Sequence, residues 1–180
     1  MLCEGYLGVA LSLIGCTTLT PAQQATLAFY QERANTVTAA YRVGKVYFLV
    51  GAHNSAAGGT MRVGGLMTME TIALDDKDDV LVAHELGHWV LDHAGRPVQS
   101  LQDRYQQEMD ANAEAVKIFT IGWGWTEQQA YVAVLNRLWH VKRAAQAVPD
   151  GHPPDPCTEI ADLVRRFPRY AALGKTCETP

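Results

Sequence analysis

The sequence predicts a single α+β domain in which a small β-sheet is covered by about five helices. The 180 residues are enough for one domain and one hydrophobic core. Long helix-forming segments follow capping residues along most of the chain. Two short segments, 45–50 and 68–74, are rich in β-branched and aromatic residues, which is typical of strands. Together these segments predict a mixed fold with few strands.

The N-terminal half contributes one helix and the sheet. The first helix is predicted from about Pro21 to Arg42, with Thr20 as its N-cap and proline in its first turn. The strands follow, and glycine-rich segments between them predict turns. The turns are expected at Ala57–Gly59 and at Gly64–Gly65.

Three further helices are predicted in the C-terminal half, before a short helical segment near Ile160. The first follows the acidic pair Asp78–Asp79 and is expected to stop at Gly95 after about four turns. The second begins after Ser100 and continues to about Phe119. The third covers about 127–147, with the apolar core stripe Tyr131, Val134, Leu135, Leu138 and Val141.

A pattern of metal-ligating residues lies on the helix that follows Asp78. His84 and His88 are four residues apart, so both imidazoles share one helix face and can bind one Zn²⁺. Glu85 lies between them and is positioned to act as a general base on water. A catalytic zinc site needs a third protein ligand and an open position. His93 lies about 140° around a continuous helix from His88, so it is expected to point elsewhere.

The third ligand is expected from the next helix. Glu108 and Asn112 are four residues apart and share a face, whereas Asp110 and Glu114 lie off it. Glu108 can bind the ion, and Asn112 can hydrogen-bond the outer nitrogen of a metal-binding histidine. The alternative is that Glu108 belongs to an ordinary solvated acidic face. Ala111 is small enough for the two helices to pack closely.

With these residues the sequence resembles a gluzincin, the group of zinc peptidases whose third ligand is a glutamate on a following helix. The run Glu108–Asn112 is similar to a segment of the CAAX-prenyl proteases and their bacterial heat-shock relatives, and of phage-repressor-cleaving proteases. The resemblance implies a minimal zincin domain, one Zn²⁺ per chain held by His84, His88 and Glu108, Glu85 as general base, and a peptide or unfolded-protein substrate.

Two weaker expectations come from the same resemblance. A strand just before the zinc helix of gluzincins is an edge that pairs with extended substrate, and Thr68–Leu74 is the candidate here, with an ordinary core strand as the alternative. The segment at His152 resembles a His-Pro segment of the CAAX lineage, which implies a transition-state stabiliser. The alternatives for His152 are a loop residue and a fourth ligand that would close a structural zinc site.

The ends of the chain bear on location. Residues 1–16 are similar to a bacterial signal segment ending in a lipobox, in which Cys16 would carry lipid and anchor the protein to a membrane. Residues 17–180 would then form the metallopeptidase domain. Cys157 and Cys177 could pair in an oxidising compartment. These features favour the bacterial cell envelope, with a cytosolic protein and an N-terminal core helix as the alternative.

Charge and motif together limit the function classes. The net charge is −4 and no basic patch occurs, so nucleic acid is not an expected partner. The sequence predicts a zinc metalloendopeptidase that could serve envelope protein quality control. The alternatives are a cytosolic repressor-cleaving peptidase and a non-catalytic, chaperone-like zinc module.

Overall fold

The computed structural model describes residues 18–51, 59–96, 98–145 and 155–173. It confirms the α+β class, since a three-stranded sheet is combined with a mostly helical chain. The elements in chain order are α1 (Pro21–Tyr41), β1 (Tyr47–Gly51), β2 (Gly59–Arg62), β3 (Leu66–Glu70), α2 (Thr71–Asp75), α3 (Asp79–Val90), α4 (Leu101–Ile118), a π-helical turn (Phe119–Trp123), α5 (Glu127–Ala145), α6 (Pro156–Arg166) and a 3₁₀ segment (Pro168–Leu173).

The described sheet has the strand order β1-β3-β2. β1 runs parallel to β3, and β2 runs antiparallel to it. The predicted turn at Gly64–Gly65 is confirmed, with φ angles of 84° and 77°. Position 65 also has no room for a side chain, because a Cβ there would lie 2.2 Å from the Lys45 carbonyl oxygen. β2 was not predicted from the sequence, because it begins at Gly59, a glycine assigned to a turn.

The predicted strand Thr68–Leu74 is partly wrong. Met67 and Met69 are buried and alternate with more exposed neighbours, as in a strand. Ala73 and Leu74 are both buried although they are adjacent, because they belong to the helix α2. Because β3 lies between β1 and β2 in the described sheet, it is not the edge strand that the sequence predicted. The strand at an edge that contacts α3 is β2.

The two helices that carry the metal-ligating pattern are α3 and α4. Asp78 caps α3 through its side chain, which accepts from the backbone N–H of Leu81, and Ser100 caps α4 in the same way. The expected stop at Gly95 is wrong, because α3 ends at Val90 after 12 residues. The helix is therefore shorter than the four turns predicted.

A close approach of α3 to α4 sets the spacing between the two helices. Gly87 faces Ala111, and a Cβ added to the glycine would lie 2.8 Å from the Ala111 carbonyl oxygen. Ala111 is fully buried at this contact. Because neither residue carries a bulky side chain, the two backbones can approach closely, as the sequence analysis expected for this face of α4.

The remaining helices complete the core around this pair. The apolar stripe predicted for α5 is buried at Tyr131, Val134, Leu135 and Leu138, while the side chain of Val141 lies outside the described residues. Trp125 stacks on Phe119, with ring centroids 4.3 Å apart, and so anchors the π-helical turn. None of the helices in the described part of the chain is both long and apolar enough to span a bilayer.

Candidate metal centre

Three side chains from α3 and α4 converge on one point. The Nε2 atoms of His84 and His88 are 3.1 Å apart. Glu108 Oε2 lies 3.1 Å from His84 Nε2 and 3.5 Å from His88 Nε2. All three side chains are largely buried, with exposed fractions of 17%, 13% and 25% for His84, His88 and Glu108. The group can hold a metal ion, and no other His, Cys, Asp or Glu among the described residues joins it.

The triangle of ligand atoms fits a zinc ion in size and chemistry. Zinc binds imidazole nitrogen and carboxylate oxygen at about 2.0–2.2 Å in a tetrahedral arrangement, which separates neighbouring ligand atoms by about 3.3–3.5 Å. The observed separations of 3.1 and 3.5 Å need only small adjustments to reach those values. Two histidines and a glutamate are also a ligand set of catalytic zinc sites.

The charges within the group depend on its hydrogen bonds. Burial acts to lower the pKa of His84, but the hydrogen bond with Glu108 and the nearby carboxylates outweigh that effect and raise the pKa to about 9. Burial disfavours the charged form of Glu108, yet hydrogen bonds to His84 and His88 hold its pKa well below the usual range. Glu108 is therefore an ionised carboxylate aimed at two imidazoles, not part of a solvated acidic face.

The outer nitrogen of His84 meets the residue that the sequence predicted. Asn112 Oδ1 lies 2.9 Å from His84 Nδ1, and only 5% of Asn112 is exposed. An amide oxygen can only accept, so it requires a proton on Nδ1, and loss of the other ring proton leaves the lone pair on Nε2, where a metal binds. The i and i+4 relation of Glu108 and Asn112 explains why one helix face supplies both groups.

The outer nitrogen of His88 has a partner that the sequence analysis placed elsewhere. His93 Nδ1 lies 2.9 Å from His88 Nδ1, so the prediction that His93 points away is wrong. The projection around a helix failed because α3 ends at Val90 and Asp92 takes a left-handed conformation with φ 58°. Burial lowers the pKa of His93 to about 4, so the neutral ring can accept the proton on His88 Nδ1.

The turn that brings His93 back is a Schellman motif. The backbone N–H of His93 donates to the His88 carbonyl at 2.9 Å, and that of Asp92 donates to the Trp89 carbonyl at 3.1 Å. Glycine is the usual residue at the left-handed position, whereas aspartate occupies it here. No glycine therefore marked the early helix end, and the contact between the two histidines could not be anticipated.

Glu85 is held by the sheet. Its Oε2 accepts a hydrogen bond of 2.7 Å from the backbone N–H of Met61 in β2, and only 7% of Glu85 is exposed. Because this N–H is directed at Glu85, it points away from β3, with which β2 pairs. The outer edge of β2 therefore faces the glutamate that lies between the two histidines.

Glu159 in α6 contacts the group through Asn112 and was not predicted from the sequence. Its Oε1 accepts a hydrogen bond of 2.8 Å from Asn112 Nδ2, and only 6% of Glu159 is exposed. Burial raises its pKa to about 7. Glu159 lies 47 residues after Asn112 in the chain, so no helical or strand period connects the two. Only the packing of α6 on α4 brings them together.

The other sequence-predicted residues stand apart from this group. Asp110 pairs with Arg166 at 2.6 Å, and Glu114 pairs with Lys117 at 2.7 Å, so both lie off the ligand face as expected. Cys157 is disulfide-bonded, but Cys177 lies outside the described residues, so their pairing stays a prediction. The other two predicted site residues, His152 and Cys16, also lie outside the described residues, and their roles stay predictions.

Comparison of the chain with known protein families, curated proteins and solved structures gives no match. Function is therefore inferred from the side chains of the metal centre and from the motifs that they form.

Proposed function

We propose that this protein is a zinc-dependent metallopeptidase that hydrolyses peptide bonds of protein substrates. The observation that carries the proposal is the zinc-sized triangle of His84, His88 and Glu108 beside the buried carboxylate of Glu85 on the same helix as both histidines. Three side chains form the group within the described part of the chain, and catalytic zinc sites have three protein ligands, whereas structural sites have four. The resemblance to gluzincins supports zinc over other divalent ions and a peptide over other substrates.

Two groups would carry out peptide hydrolysis, the metal ion and the side chain of Glu85. A bound zinc ion would supply Lewis acidity, which polarises the scissile carbonyl and makes water more acidic. Glu85 takes a proton from the attacking water while the new C–O bond forms, and it delivers that proton to the leaving nitrogen as the C–N bond breaks. The Met61 N–H holds one carboxylate oxygen of Glu85 and so restricts the orientation of the other.

Substrate binding is assigned to the outer edge of β2. In the described sheet β2 has a neighbouring strand on one side only, and its Met61 backbone faces Glu85. An extended peptide that paired with this edge through groups other than the Met61 N–H, which Glu85 holds, would lie beside the general base. The edge that the sequence analysis assigned to Thr68–Leu74 is thus assigned here to β2.

The test is a comparison of zinc content and cleavage between the wild type and Glu85→Gln. Removal of the general base should lower the rate of peptide cleavage by at least ~100-fold while zinc stays bound, because Glu85 is not in the ligand triangle. Zinc is measured by elemental analysis, and cleavage by mass spectrometry on a peptide library. Glu114→Gln is the matched control, since Glu114 is also a buried glutamate but hydrogen-bonds Tyr41 instead.

The same experiment separates the competing functions. A wild-type protein that binds one zinc but cleaves no peptide would indicate a non-catalytic zinc module. A Glu85→Gln variant that cleaves at the wild-type rate would remove Glu85 from the mechanism. The envelope location and the lipid anchor at Cys16 are further proposals, which rest on the sequence of the N-terminal segment.

A further inference from the structure

A chain of hydrogen bonds runs from the ligand triangle into α6. His84 Nε2 belongs to the triangle, and His84 Nδ1 contacts Asn112 Oδ1 at 2.9 Å. Asn112 Nδ2 in turn donates to Glu159 Oε1 at 2.8 Å. Asn112 and Glu159 are 5% and 6% exposed, so water competes little for either group. Each of the helices α3, α4 and α6 contributes one member of the chain.

The direction of these hydrogen bonds follows from the chemistry of the last member. Glu159 Oε1 accepts the hydrogen bond from Asn112 Nδ2, so the NH₂ end of the Asn112 amide faces Glu159. The amide oxygen is then turned to His84, where it can only accept, and the proton of the neutral imidazole must lie on Nδ1. Without Glu159, either end of the amide could face His84, and the reversed amide would favour a proton on Nε2, where the metal binds.

We infer that Glu159 is a positioning residue for the metal centre, which acts through Asn112 to keep the Nε2 lone pair of His84 available for zinc. The inference rests on the zinc site of the proposed function, and it names a residue outside the ligand triangle. It also gives a reason for a carboxylate inside the protein, where burial of a charged group is costly.

The first test removes the carboxylate. Glu159→Ala should lower zinc affinity by about 10-fold or more, the range seen when outer partners of zinc ligands are lost. Asp162→Asn is the matched control, because Asp162 is a similarly buried carboxylate on α6 that pairs with Arg165 and Arg166 instead. Zinc affinity is measured by competition with a chelator, and circular dichroism checks that each variant is folded at the assay temperature.

The second test exchanges the two functional groups. Measured well above the pKa of Glu159, Asn112→Asp places two charged carboxylates face to face, so it should lower zinc affinity by at least ~10-fold. Adding Glu159→Gln to that variant restores one amide and one carboxylate in reversed order: the carboxylate at position 112 accepts from His84 Nδ1–H, and the new amide donates to it. The double variant should therefore recover most of the lost affinity.

A spectroscopic readout follows the proton itself. In the zinc-loaded wild type, the Nδ1–H of His84 should give a slowly exchanging NMR resonance, because it is buried and hydrogen-bonded to Asn112. The resonance should weaken or disappear in Glu159→Ala and return in the Asn112→Asp, Glu159→Gln double variant. The Asp162→Asn control should keep it.

The outcomes are distinct from those that test the peptidase. Wild-type zinc affinity in Glu159→Ala, or an equal loss from Asn112→Asp with and without Glu159→Gln, would overturn the role of Glu159. A wild type that binds zinc but cleaves no peptide would overturn the peptidase alone, since affinity and the His84 resonance need no substrate. A wild type that binds no zinc would overturn both.

Discussion

The two histidines of the candidate metal centre are supported by different kinds of structure. His84 is held from behind by Asn112 on α4 and, through it, by Glu159 on α6. His88 is held by His93, which lies in the turn after α3. One support consists of side chains from packed helices, and the other comes from a turn only five residues away in the chain. Substitution of the partner behind His84 and of the partner behind His88 is therefore expected to affect zinc binding to different extents, although the two histidines share one helix face.

The greatest loss of zinc binding is expected when the ligand that both histidines contact is removed. Glu108→Ala should lower zinc affinity by more than the ~10–100-fold that the loss of an outer partner costs, because it deletes a member of the triangle itself. Asp110→Ala is the control, since Asp110 lies on the same helix but pairs with Arg166. Chelator competition measures both. Zinc binding by Glu108→Ala with unchanged affinity would exclude Glu108 as a ligand.

A smaller effect, on stability, is expected on the His84 side. Burial raises the pKa of Glu159 from 4.5 in the unfolded chain to about 7. Between those values the folded protein binds more protons, so the free energy of unfolding falls as pH rises from about 5 to 8. Glu159→Gln cannot titrate and avoids this loss, which amounts to on the order of 2–3 kcal/mol for a shift of this size.

Urea unfolding of the metal-free protein at pH 5 and pH 8 measures this difference. Neighbouring ionisable groups such as His84, Glu108 and Asp155 are present in both proteins, so most of their contribution cancels. The stability of Glu159→Gln relative to the wild type should increase with pH. A relative stability that is the same at both pH values would contradict the buried, titrating carboxylate.

The weakest effect is expected on the His88 side. His93→Ala should lower zinc affinity by about 10-fold, less than Asn112→Ala, because Asn112 is fixed by a further hydrogen bond to Glu159 and so holds His84 in a defined orientation. Asp92→Gly is the control, since glycine accepts the left-handed conformation at the turn and leaves His93 in place. Equal losses from His93→Ala and Asn112→Ala would show that the two supports do not differ.

The same contrast explains what could be predicted from the sequence. The face shared by His84 and His88 and the face shared by Glu108 and Asn112 follow from the period of a helix, which holds as long as the helix continues. The resemblance to gluzincins then predicted that these two faces meet. The position of His93 depends on where α3 ends. Asp92, and not the usual glycine, takes the left-handed conformation after the helix, so the sequence did not mark that end. Periodic relations were therefore predictable, whereas the contact made by a turn was not.

Longer-range contacts escaped prediction for a second reason. Met61 meets Glu85, and Asn112 meets Glu159, only because separate elements pack together. Met61 contributes a backbone N–H, which any residue except proline would supply, so the residue type at position 61 does not indicate the hydrogen bond to Glu85. β2 was missed for a related reason, because its first residue is a glycine in a segment that otherwise predicts turns.

Gly87 shows how much of the candidate metal centre can depend on a position that has no functional group. Any larger residue there would push against the Ala111 carbonyl and force α3 and α4 apart, and with them the imidazoles and the carboxylate they carry. The distances between the three ligand atoms therefore depend on the absence of a Cβ at position 87, where the two helices meet. A transplant of the centre into another protein would have to copy this empty space along with the side chains that surround it.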